Sequence, residues 1–416
     1  MSKSAHLHPS DIRGASRLVV DAVIGIVHVV EAMHVNIARL PGLPRPAVPA
    51  SARGITGLAY RSVRLIAGGV GQLLDAALAR LVPLLGANGS SPRREALLAA
   101  INGVLGDYLA AAGNPLAVSM RLRRNGRPLD LDRNALRTAV ERPSAHLLVM
   151  VHGLCMNDLQ WRRRGQDPAE SLARELCHTA VYLHYNSGRH ISANGHDLAG
   201  LLERLVEHWP VPVESMTIIA HSMGGLVARS ACHYAGIAAM RWPGLLRQMV
   251  FIATPHHGAP LERGGNWVDL ILGVSPYTAP LARLGKIRSA GITDLRYGNL
   301  VDEDWEGRDR FAGGGDRRST IPLPAGVACY AIAGTSVRPM GDMGRKLLGD
   351  GLVTVDSALG RHRDPRRTLG FSEERQWVGA GMGHLELLTR AKVWARIRGW
   401  LSGAEGPDTP SCPPAD

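Results

Sequence analysis

The sequence is poor in aromatic residues and in cysteine. Aromatic side chains make up 5% of the 416 residues, and Phe occurs only 3 times. The five cysteines are an odd number, and none of them is spaced as C-x-x-C. This usage favours free thiols in a reducing compartment over a disulfide framework. The apolar fraction of 45% is ordinary for a globular protein, so the chain can still bury a large core.

The sequence also lacks a secretory signal and a long hydrophobic run. Its first residues, MSKSAHLHPSDIRG, contain no charged-then-apolar segment followed by a cleavage site. The most apolar early stretch, Leu18 to Val30, is too short to cross a bilayer and contains Asp21 and His28. A cytoplasmic protein is therefore expected, with peripheral membrane contact as an open alternative.

Positive charge is the one strong bias of the composition. The formal net charge is +12 and the pI is about 10.0. The arginines are spread along the chain, and no helix-turn-helix, zinc-finger or RNA-binding signature accompanies them. No nucleic-acid partner is therefore expected. The positive charge is consistent with attraction to an anionic membrane surface, with an acidic substrate, or simply with a solvated basic surface. The sequence does not indicate the oligomeric state.

Residues 1–113 are predicted to form an N-terminal helical region. Long helices rich in Ala, Leu and Val are expected over 10–40 and 51–86, joined by a proline-rich linker, and a third is expected over about 92–112. Two interpretations remain open for this region. It is either an accessory bundle that packs on the rest of the protein or an amphipathic surface for membranes or lipid bodies.

The remainder of the chain is predicted to contain a hairpin and an α/β domain. Residues 114–143 form a β-hairpin and linker in this prediction, because Asn125-Gly126 suits a tight primed turn. Over 144–402 short apolar strands alternate with helical stretches, which predicts a mostly parallel sheet covered by helices. The tail over 403–416 is expected to be disordered.

The strongest local signal is IIAHSMGGLVARS, over residues 218–230. Ser222 lies at a predicted sharp turn between a strand and a helix, and small residues flank it at Ala220 and Gly224. This pattern resembles the G-x-S-x-G nucleophile elbow with Ala in the first position. Ser222 could instead simply cap a helix. The strand before it and the helix after it favour a nucleophile.

An acyl-transfer site also needs two backbone amides that stabilise an oxyanion. The segment VHGL, over 151–154, follows an apolar strand, and Gly153 would permit an unusual backbone conformation there. The amides of Leu154 and of Met223, the residue after the nucleophile, are the predicted donors. The alternative is an ordinary glycine turn at the end of a strand.

A serine nucleophile requires a base and an acid that orients it. His384 lies after a late strand and just before the last helix, which makes it the predicted base. Asp350 lies between two glycines shortly after the preceding strand and is the predicted acid. Asp342 and Asp356 are its competitors, the first in a glycine-rich stretch and the second farther from the strand.

These motifs together resemble a known family. The sequence is similar to bacterial lipases and esterases of the α/β-hydrolase superfamily, in the branch that includes GPI inositol-deacylase-like proteins. The resemblance covers roughly residues 145–402. The similar blocks, in the family's order, are VHGL, AHSMGG, ATPHHGAP (253–260), GDGLVTVDSA (349–358) and GMGHLEL (381–387). The resemblance implies an α/β-hydrolase fold, Asp350 as the acid, and the Leu154 and Met223 amides as the oxyanion hole.

Several residues are candidates for the substrate pocket. His256 and His257 match a Thr-Pro-His loop that the family places beside the catalytic pocket, and His152 belongs to VHGL. Trp267 lies in a segment over 261–320 that interrupts the strand-helix rhythm and is either a lid or a structural insertion. A metal role for the two adjacent histidines has no supporting Asp/His spacing. No metal and no cofactor are expected.

Three functions remain open on this basis. The first is a lipase or esterase that cleaves acyl esters, with an ester or a lipid as its substrate. The second is an acyltransferase that uses the same triad. The third is a non-catalytic adaptor at a lipid surface, which the intact Ser–Asp–His order disfavours because an adaptor does not require it.

Overall fold

The computed structural model describes residues 10–21, 24, 92–162, 167–259, 288–310, 315–336 and 349–403. The chain divides into two compact units. One comprises Met1–Arg94 and Leu109–Ala117, and the other comprises Glu95–Tyr108 and Val118–Asp416. Most of the two long predicted N-terminal helices, Asp342, Trp267 and nearly all of the tail lie outside the described residues.

In the first unit, the described residues 10–21 are helical. Asp11 of this helix forms an ion pair with Arg94, in which the guanidinium Nε lies 2.5 Å from the carboxylate. Farther along, Arg17 donates a hydrogen bond of 2.9 Å to the carbonyl of Gly113. No helix among the described residues is both long enough and apolar enough to cross a membrane.

The second unit alternates strands with helices. Its strands are β1 (Arg121–Arg124), β2 (Arg127–Pro128), β3 (His146–Val151), β4 (Thr179–His184), β5 (Ser215–His221), β6 (Leu246–Ile252), β7 (Ala328–Thr335) and β8 (Gln376–Ala380). The helices are α1 (Pro92–Ala111), which begins in the first unit, α2 (Arg133–Ala139), α3 (Pro168–Glu175), α4 (Ile191–His208), α5 (Met223–Ile237), α6 (Ala290–Asp294), α7 (Val355–Ala358) and α8 (Ala391–Gly403).

The strands described above form one sheet in the order β2-β1-β4-β3-β5-β6-β7-β8. Strands β3 to β8 pair in parallel, whereas β1 is antiparallel to both β2 and β4. The turn between β1 and β2 contains Asn125 at φ 53° and Gly126 at φ 73°. Positive φ at both central residues is what a tight primed hairpin turn requires. Because strands β3 to β8 run in parallel, their carboxyl ends all lie at one edge of the sheet.

The sheet is covered on both faces, which explains the continuous apolar runs of its inner strands. Successive residues of β3 point to opposite faces, so that Leu147 and Val149 lie in one core cluster and Leu148 and Met150 lie in the other. Helices α4 and α5 contribute to the first cluster, and helices α3 and α8 contribute to the second. This packing holds the carboxyl ends of the strands in fixed positions.

The second unit also includes residues 95–108, which belong to α1. Glu95 accepts a hydrogen bond of 2.9 Å from Arg123 of β1, and Asp158 accepts a second from the same nitrogen at 3.0 Å. All three side chains are buried. The amide side chain of Asn102 accepts from the backbone of Val118 at 2.9 Å. Residues 95–108 are thus integral to the unit that contains the sheet.

Candidate active site

Ser222 lies at a strained turn between β5 and α5. Its backbone has φ 53° and ψ −128°, a region that non-glycine residues rarely occupy and that costs of order 1–3 kcal/mol. Its amide donates a hydrogen bond of 2.8 Å to the carbonyl of Ile252, at the end of the adjacent strand β6. The surrounding structure therefore maintains a conformation that the residue would not adopt alone, as in a nucleophile elbow.

The glycine after this turn is required by lack of space. A Cβ atom at Gly224 would lie 2.5 Å from the carbonyl oxygen of His152. The first turn of α5 thus contacts the loop that follows β3. This close approach explains why the sequence needs a residue without a side chain two positions after Ser222.

The predicted acid and base are hydrogen-bonded to each other. The Nδ1 atom of His384 lies 2.8 Å from Oδ2 of Asp350. The other carboxylate oxygen, Oδ1, accepts from the backbone amides of Leu352 at 3.0 Å and Val353 at 2.9 Å. The backbone amide of His384 also donates to the carbonyl of Asp350 at 3.0 Å. Both side chains are buried, with His384 7% and Asp350 4% exposed.

His221 connects this pair to the turn at Ser222. It directly precedes Ser222, and the centroids of the His221 and His384 rings are 4.7 Å apart. Its Nε2 atom lies 3.3 Å from the backbone carbonyl of His384. Burial holds the pKa of His221 well below its ordinary value, and the positive form of His384 would lower it further. A neutral His221 donates from Nε2 to that carbonyl, so it positions the loop that carries His384.

The loop after β3 packs directly on Ser222. A Cβ atom at Gly153 would lie 2.9 Å from Cβ of Ser222 and 3.2 Å from Nδ1 of His221. The expectation of an unusual conformation at Gly153 applies instead to Cys155, which has φ 57°, because Gly153 itself does not have a positive φ. Within the described residues, neither the Leu154 nor the Met223 amide has a hydrogen-bond acceptor.

The predicted pocket residue His152 is fully buried under this loop. Its ring stacks on Tyr185 at a centroid distance of 4.4 Å, and the Tyr185 hydroxyl donates to the His152 carbonyl at 2.9 Å. Desolvation lowers the pKa of His152 to about 3, so that the ring is neutral at physiological pH. The His152 side chain therefore packs on Tyr185 in the interior and is not exposed.

His256 and His257 follow β6 and are held by two arginines. Nδ1 of His256 lies 3.3 Å from a guanidinium nitrogen of Arg229. Nδ1 of His257 lies 2.6 Å from a guanidinium nitrogen of Arg318. Their backbone amides bond to Ser357, a few residues after Asp350. No group of three His, Cys, Asp or Glu side chains suited to a metal occurs among the described residues.

His257 also lines a cleft of about 770 Å³ beside the segment that follows Asp350. The competitor acid Asp356 lies in this cleft, and the structure records no hydrogen bond between it and His384. The other side chains in the cleft include Thr354, Arg361, His362 and Arg363. The structure thus brings Asp350 to His384 and leaves Asp356 in a separate environment.

The sequence did not single out His221, Arg229 or Tyr185. His221 adjoins Ser222, but its contact with the His384 carbonyl joins residues 163 positions apart. Arg229 gives the clearest available signal, because an arginine two turns into a helix of otherwise small and apolar residues is expected to have a specific partner. That partner could not be identified before the loops were placed.

Comparison with known proteins agrees with this architecture. Residues 142–321 match the family model described as the PGAP1-like alpha/beta domain. No curated protein matches the sequence significantly.

Solved structures align at low identity. Mature lipase BlEst2 of Bacillus licheniformis is 17% identical over 69% of this chain and 98% of its own, with a TM-score of 0.41. Esterase Pf2001 of Pyrococcus furiosus is 13% identical over 63% and 80%, with a TM-score of 0.37. The RedJ thioesterase of Streptomyces coelicolor is 14% identical over 68% and 97%, with a TM-score of 0.36.

The order and direction of the strands, the strand-turn-helix at Ser222 and the family match all agree with the resemblance noted in the sequence. The predicted fold class is confirmed. Residues 142–321 match the model of a PGAP1-like alpha/beta domain, and the described sheet has the mostly parallel order that was predicted for an α/β-hydrolase fold.

Proposed function

We propose that this protein is a serine hydrolase of carboxylic esters, with Ser222 as nucleophile, His384 as general base and Asp350 as the acid that orients the base. The observation that carries the proposal is the buried 2.8 Å hydrogen bond between Asp350 and His384. This pair lies beside a strained serine turn, since the ring of His384 is in contact with that of His221. A structural serine cap would need neither feature.

The hydrogen bonds of Asp350 determine which nitrogen of His384 can act as a base. Oδ2 is a pure acceptor when the carboxylate is ionised, so Nδ1 carries the proton and Nε2 keeps its lone pair. Nε2 then accepts the hydroxyl proton as Ser222 Oγ attacks the acyl carbonyl. The carboxylate also stabilises the imidazolium that forms. The two bonds from Leu352 and Val353 keep Oδ1 from competing for the ring.

The negative charge that develops on the carbonyl oxygen needs donors fixed in advance. The amides of Leu154 and Met223 support this role, because neither has an acceptor among the described residues and both belong to segments that contact Ser222. The Met223 amide is also the first of α5, where the helix dipole favours an anion.

The reaction then runs in two halves. The tetrahedral intermediate collapses, the C–O bond to the alcohol breaks, and His384 returns the proton to the leaving alcohol. Water next attacks the acyl-enzyme while His384 takes its proton, and the free acid leaves as Ser222 regains its hydrogen. The substrate class is an acyl ester, with lipid esters as the expected physiological members.

Substitution of the nucleophile tests the proposal. Ser222→Ala should lower kcat on p-nitrophenyl esters by on the order of 10⁶, and a fluorophosphonate probe should label wild type at Ser222 alone. Ser230→Ala is the matched control, because it removes a hydroxyl from the same helix and only one hydrogen bond, to Leu300. It should keep activity and labelling. Labelling at another serine would refute the assignment.

A second assay separates hydrolysis from acyl transfer. An ester labelled in its acyl group is incubated with the enzyme in the presence of excess alcohol acceptor. A hydrolase releases labelled free acid, whereas an acyltransferase produces a labelled new ester. A series of p-nitrophenyl esters of increasing chain length then defines the preferred acyl group.

A further inference from the structure

The loop after β3 is held by hydrogen bonds on both sides of Leu154. Before Leu154, the backbone carbonyl of His152 accepts from the Tyr185 hydroxyl at 2.9 Å. After Leu154, the backbone amide of Cys155 donates to the Ser187 hydroxyl at 3.0 Å. Tyr185 and Ser187 both belong to the segment that directly follows β4, so one segment holds this loop at two points.

Cys155 has a backbone conformation that needs support from its surroundings. Its φ of 57° lies in the left-handed region, which residues with a side chain rarely adopt. Helix α1 packs against it, since a Cβ atom at Gly103 would lie 2.2 Å from Sγ of Cys155. The remaining support is the hydrogen bond from its amide to Ser187. Loss of that bond would allow Cys155 to relax and would shift the adjacent Leu154.

The segment that carries Ser187 is itself fixed on α1. The side chain of Asn186 donates to the carbonyl of Gly106 at 2.8 Å and accepts from the amide of Gly188 at 3.1 Å. A Cβ atom at Gly188 would lie 2.1 Å from the carbonyl oxygen of Asn102. The part of α1 that belongs to the second unit therefore contacts both the segment after β4 and the loop after β3. Ser187 thus has a rigid base from which to hold that loop.

The hydroxyl of Ser187 has a single partner within the part of the chain that the structure describes. The residue is 1% exposed, and its Oγ atom forms only the hydrogen bond from the Cys155 amide. Burial of a hydroxyl is unfavourable without a hydrogen bond, and alanine would occupy nearly the same space without that cost. Packing alone therefore does not explain a serine at this position, whereas the contact with Cys155 does.

We propose that Ser187 is a positioning residue for the oxyanion hole. It holds Cys155 and thereby keeps the backbone amide of Leu154 directed at the oxygen that becomes negative. This role rests on the proposed function, in which the Leu154 amide is one of the two donors. Such a donor stabilises the transition state because it is fixed before the charge develops. A displacement of about 1 Å at a catalytic group can cost on the order of 10² in rate.

The kinetics of Ser187→Ala test this role. The variant should lose about 10² in kcat on p-nitrophenyl butyrate with little change in KM, because the bond to the oxyanion is made only in the transition state. Ser144→Ala is the matched control. The Ser144 hydroxyl also accepts a backbone amide at 3.0 Å, from His146, and it donates to the carbonyl of Cys177. Because Ser144 precedes β3 and the loop follows it, this control should lose at least as much Tm and keep the wild-type kcat.

A trifluoromethyl ketone with a short acyl chain distinguishes positioning from general damage. Ser222 Oγ adds to its carbonyl, His384 takes the hydroxyl proton, and the ketone oxygen becomes an oxyanion, as in the transition state. The matching methyl ketone binds as the neutral ketone. In Ser187→Ala the Ki of the trifluoromethyl ketone should rise by the factor by which kcat/KM falls, and the Ki of the methyl ketone should stay that of wild type. Tyr185→Phe, which frees the other side of the loop, should show the same pattern and replaces Ser187→Ala if that variant does not fold.

Three results would overturn the role of Ser187. They are a wild-type kcat in Ser187→Ala, an equal loss of kcat in Ser144→Ala, and equal weakening of both ketones. Failure of the proposed function is distinguishable from these, because Ser222→Ala would then hydrolyse the ester as fast as wild type.

Discussion

Replacing Asp350 with Asn should disable the enzyme without unfolding it, and the reason lies in the two oxygens of this carboxylate. Oδ1 accepts from the Leu352 and Val353 amides, and Oδ2 bonds to His384. In Asp350→Asn the amide oxygen must keep the two backbone donors, since an NH₂ group cannot accept from them. The NH₂ group is thereby directed at Nδ1 of His384.

This arrangement forces the wrong tautomer on His384. Nδ1 must then accept a hydrogen bond, so the ring proton moves to Nε2, which can no longer take the proton of Ser222. We expect kcat to fall by on the order of 10⁴, which corresponds to about 5 kcal/mol in the activation barrier. The Tm should change little, because every hydrogen bond of the loop is retained.

Asp350→Ala provides a contrast that a purely structural role would not produce. Alanine leaves the Leu352 and Val353 amides buried without acceptors, at a cost of about 1–3 kcal/mol each. It does not, however, impose a tautomer on His384. The alanine variant should therefore be less stable than the asparagine variant and yet retain more activity.

The assay combines initial rates on p-nitrophenyl butyrate, Tm by circular dichroism and the ¹⁵N resonances of His384. The nitrogen that carries the proton should be Nδ1 in wild type and Nε2 in Asp350→Asn. Asp356→Asn is the matched control, since Asp356 lines the neighbouring cleft, and it should behave as wild type does. Activity of Asp350→Asn within tenfold of wild type, or a more severe loss in Asp356→Asn, would refute the reasoning.

Two further predictions concern the surroundings of Ser222 and the domain boundary. Gly153→Ala should reduce kcat by at least about 10² with a smaller effect on KM. The reason is that the alanine Cβ would lie 2.9 Å from Cβ of Ser222 and displace the Leu154 amide. Gly200→Ala is the control for both kinetic constants, because a Cβ at Gly200 meets open space. A chain that begins at Ser91 should retain activity on a soluble ester, whereas one that begins at Pro115 should lose it. The second deletion removes residues 95–108 from the unit that contains the sheet, and with them the buried contact of Glu95 with Arg123.

For each of these two predictions, one experimental outcome would contradict the expectation. Full activity in Gly153→Ala would mean that the loop after β3 does not supply an oxyanion donor. An active chain starting at Pro115, with the Tm of the longer one, would show that residues 95–108 are not integral to the catalytic unit. Activity and Tm measured on the same preparations decide both cases.

The features that could be predicted from the sequence are local in the chain. The Asn125-Gly126 turn and the strand-turn-helix at Ser222 each depend on the conformational preferences of adjacent residues. The Pro92–Ala111 helix was also expected to within a residue or two, because proline suits a helix start and Gly113 follows its end. The order of the motifs then placed Asp350 and His384 after successive strands.

The features that could not be predicted join distant residues. The 7-residue helix Arg133–Ala139 falls within a segment interpreted as a linker, although Asp132 caps it through hydrogen bonds to two amides. That cap was a local signal that the sequence interpretation missed. In contrast, the buried contact of Glu95 with Arg123 has no local signal, because charged residues are usually exposed and the partner is 28 positions away.

The same contrast explains why the sequence indicates candidates for the proposed catalytic residues more readily than the residues that position them. The chemistry requires a serine, a histidine and a carboxylate in a known chain order, and this requirement restricts the sequence. His384, the proposed base, is held in place by different contacts. Its backbone amide donates to the Asp350 carbonyl, and the His221 ring donates to the backbone carbonyl of His384. Backbone atoms take part in both, and any residue type provides a backbone carbonyl. The positioning of His384 therefore leaves little trace in the sequence, although the proposed reaction depends on it.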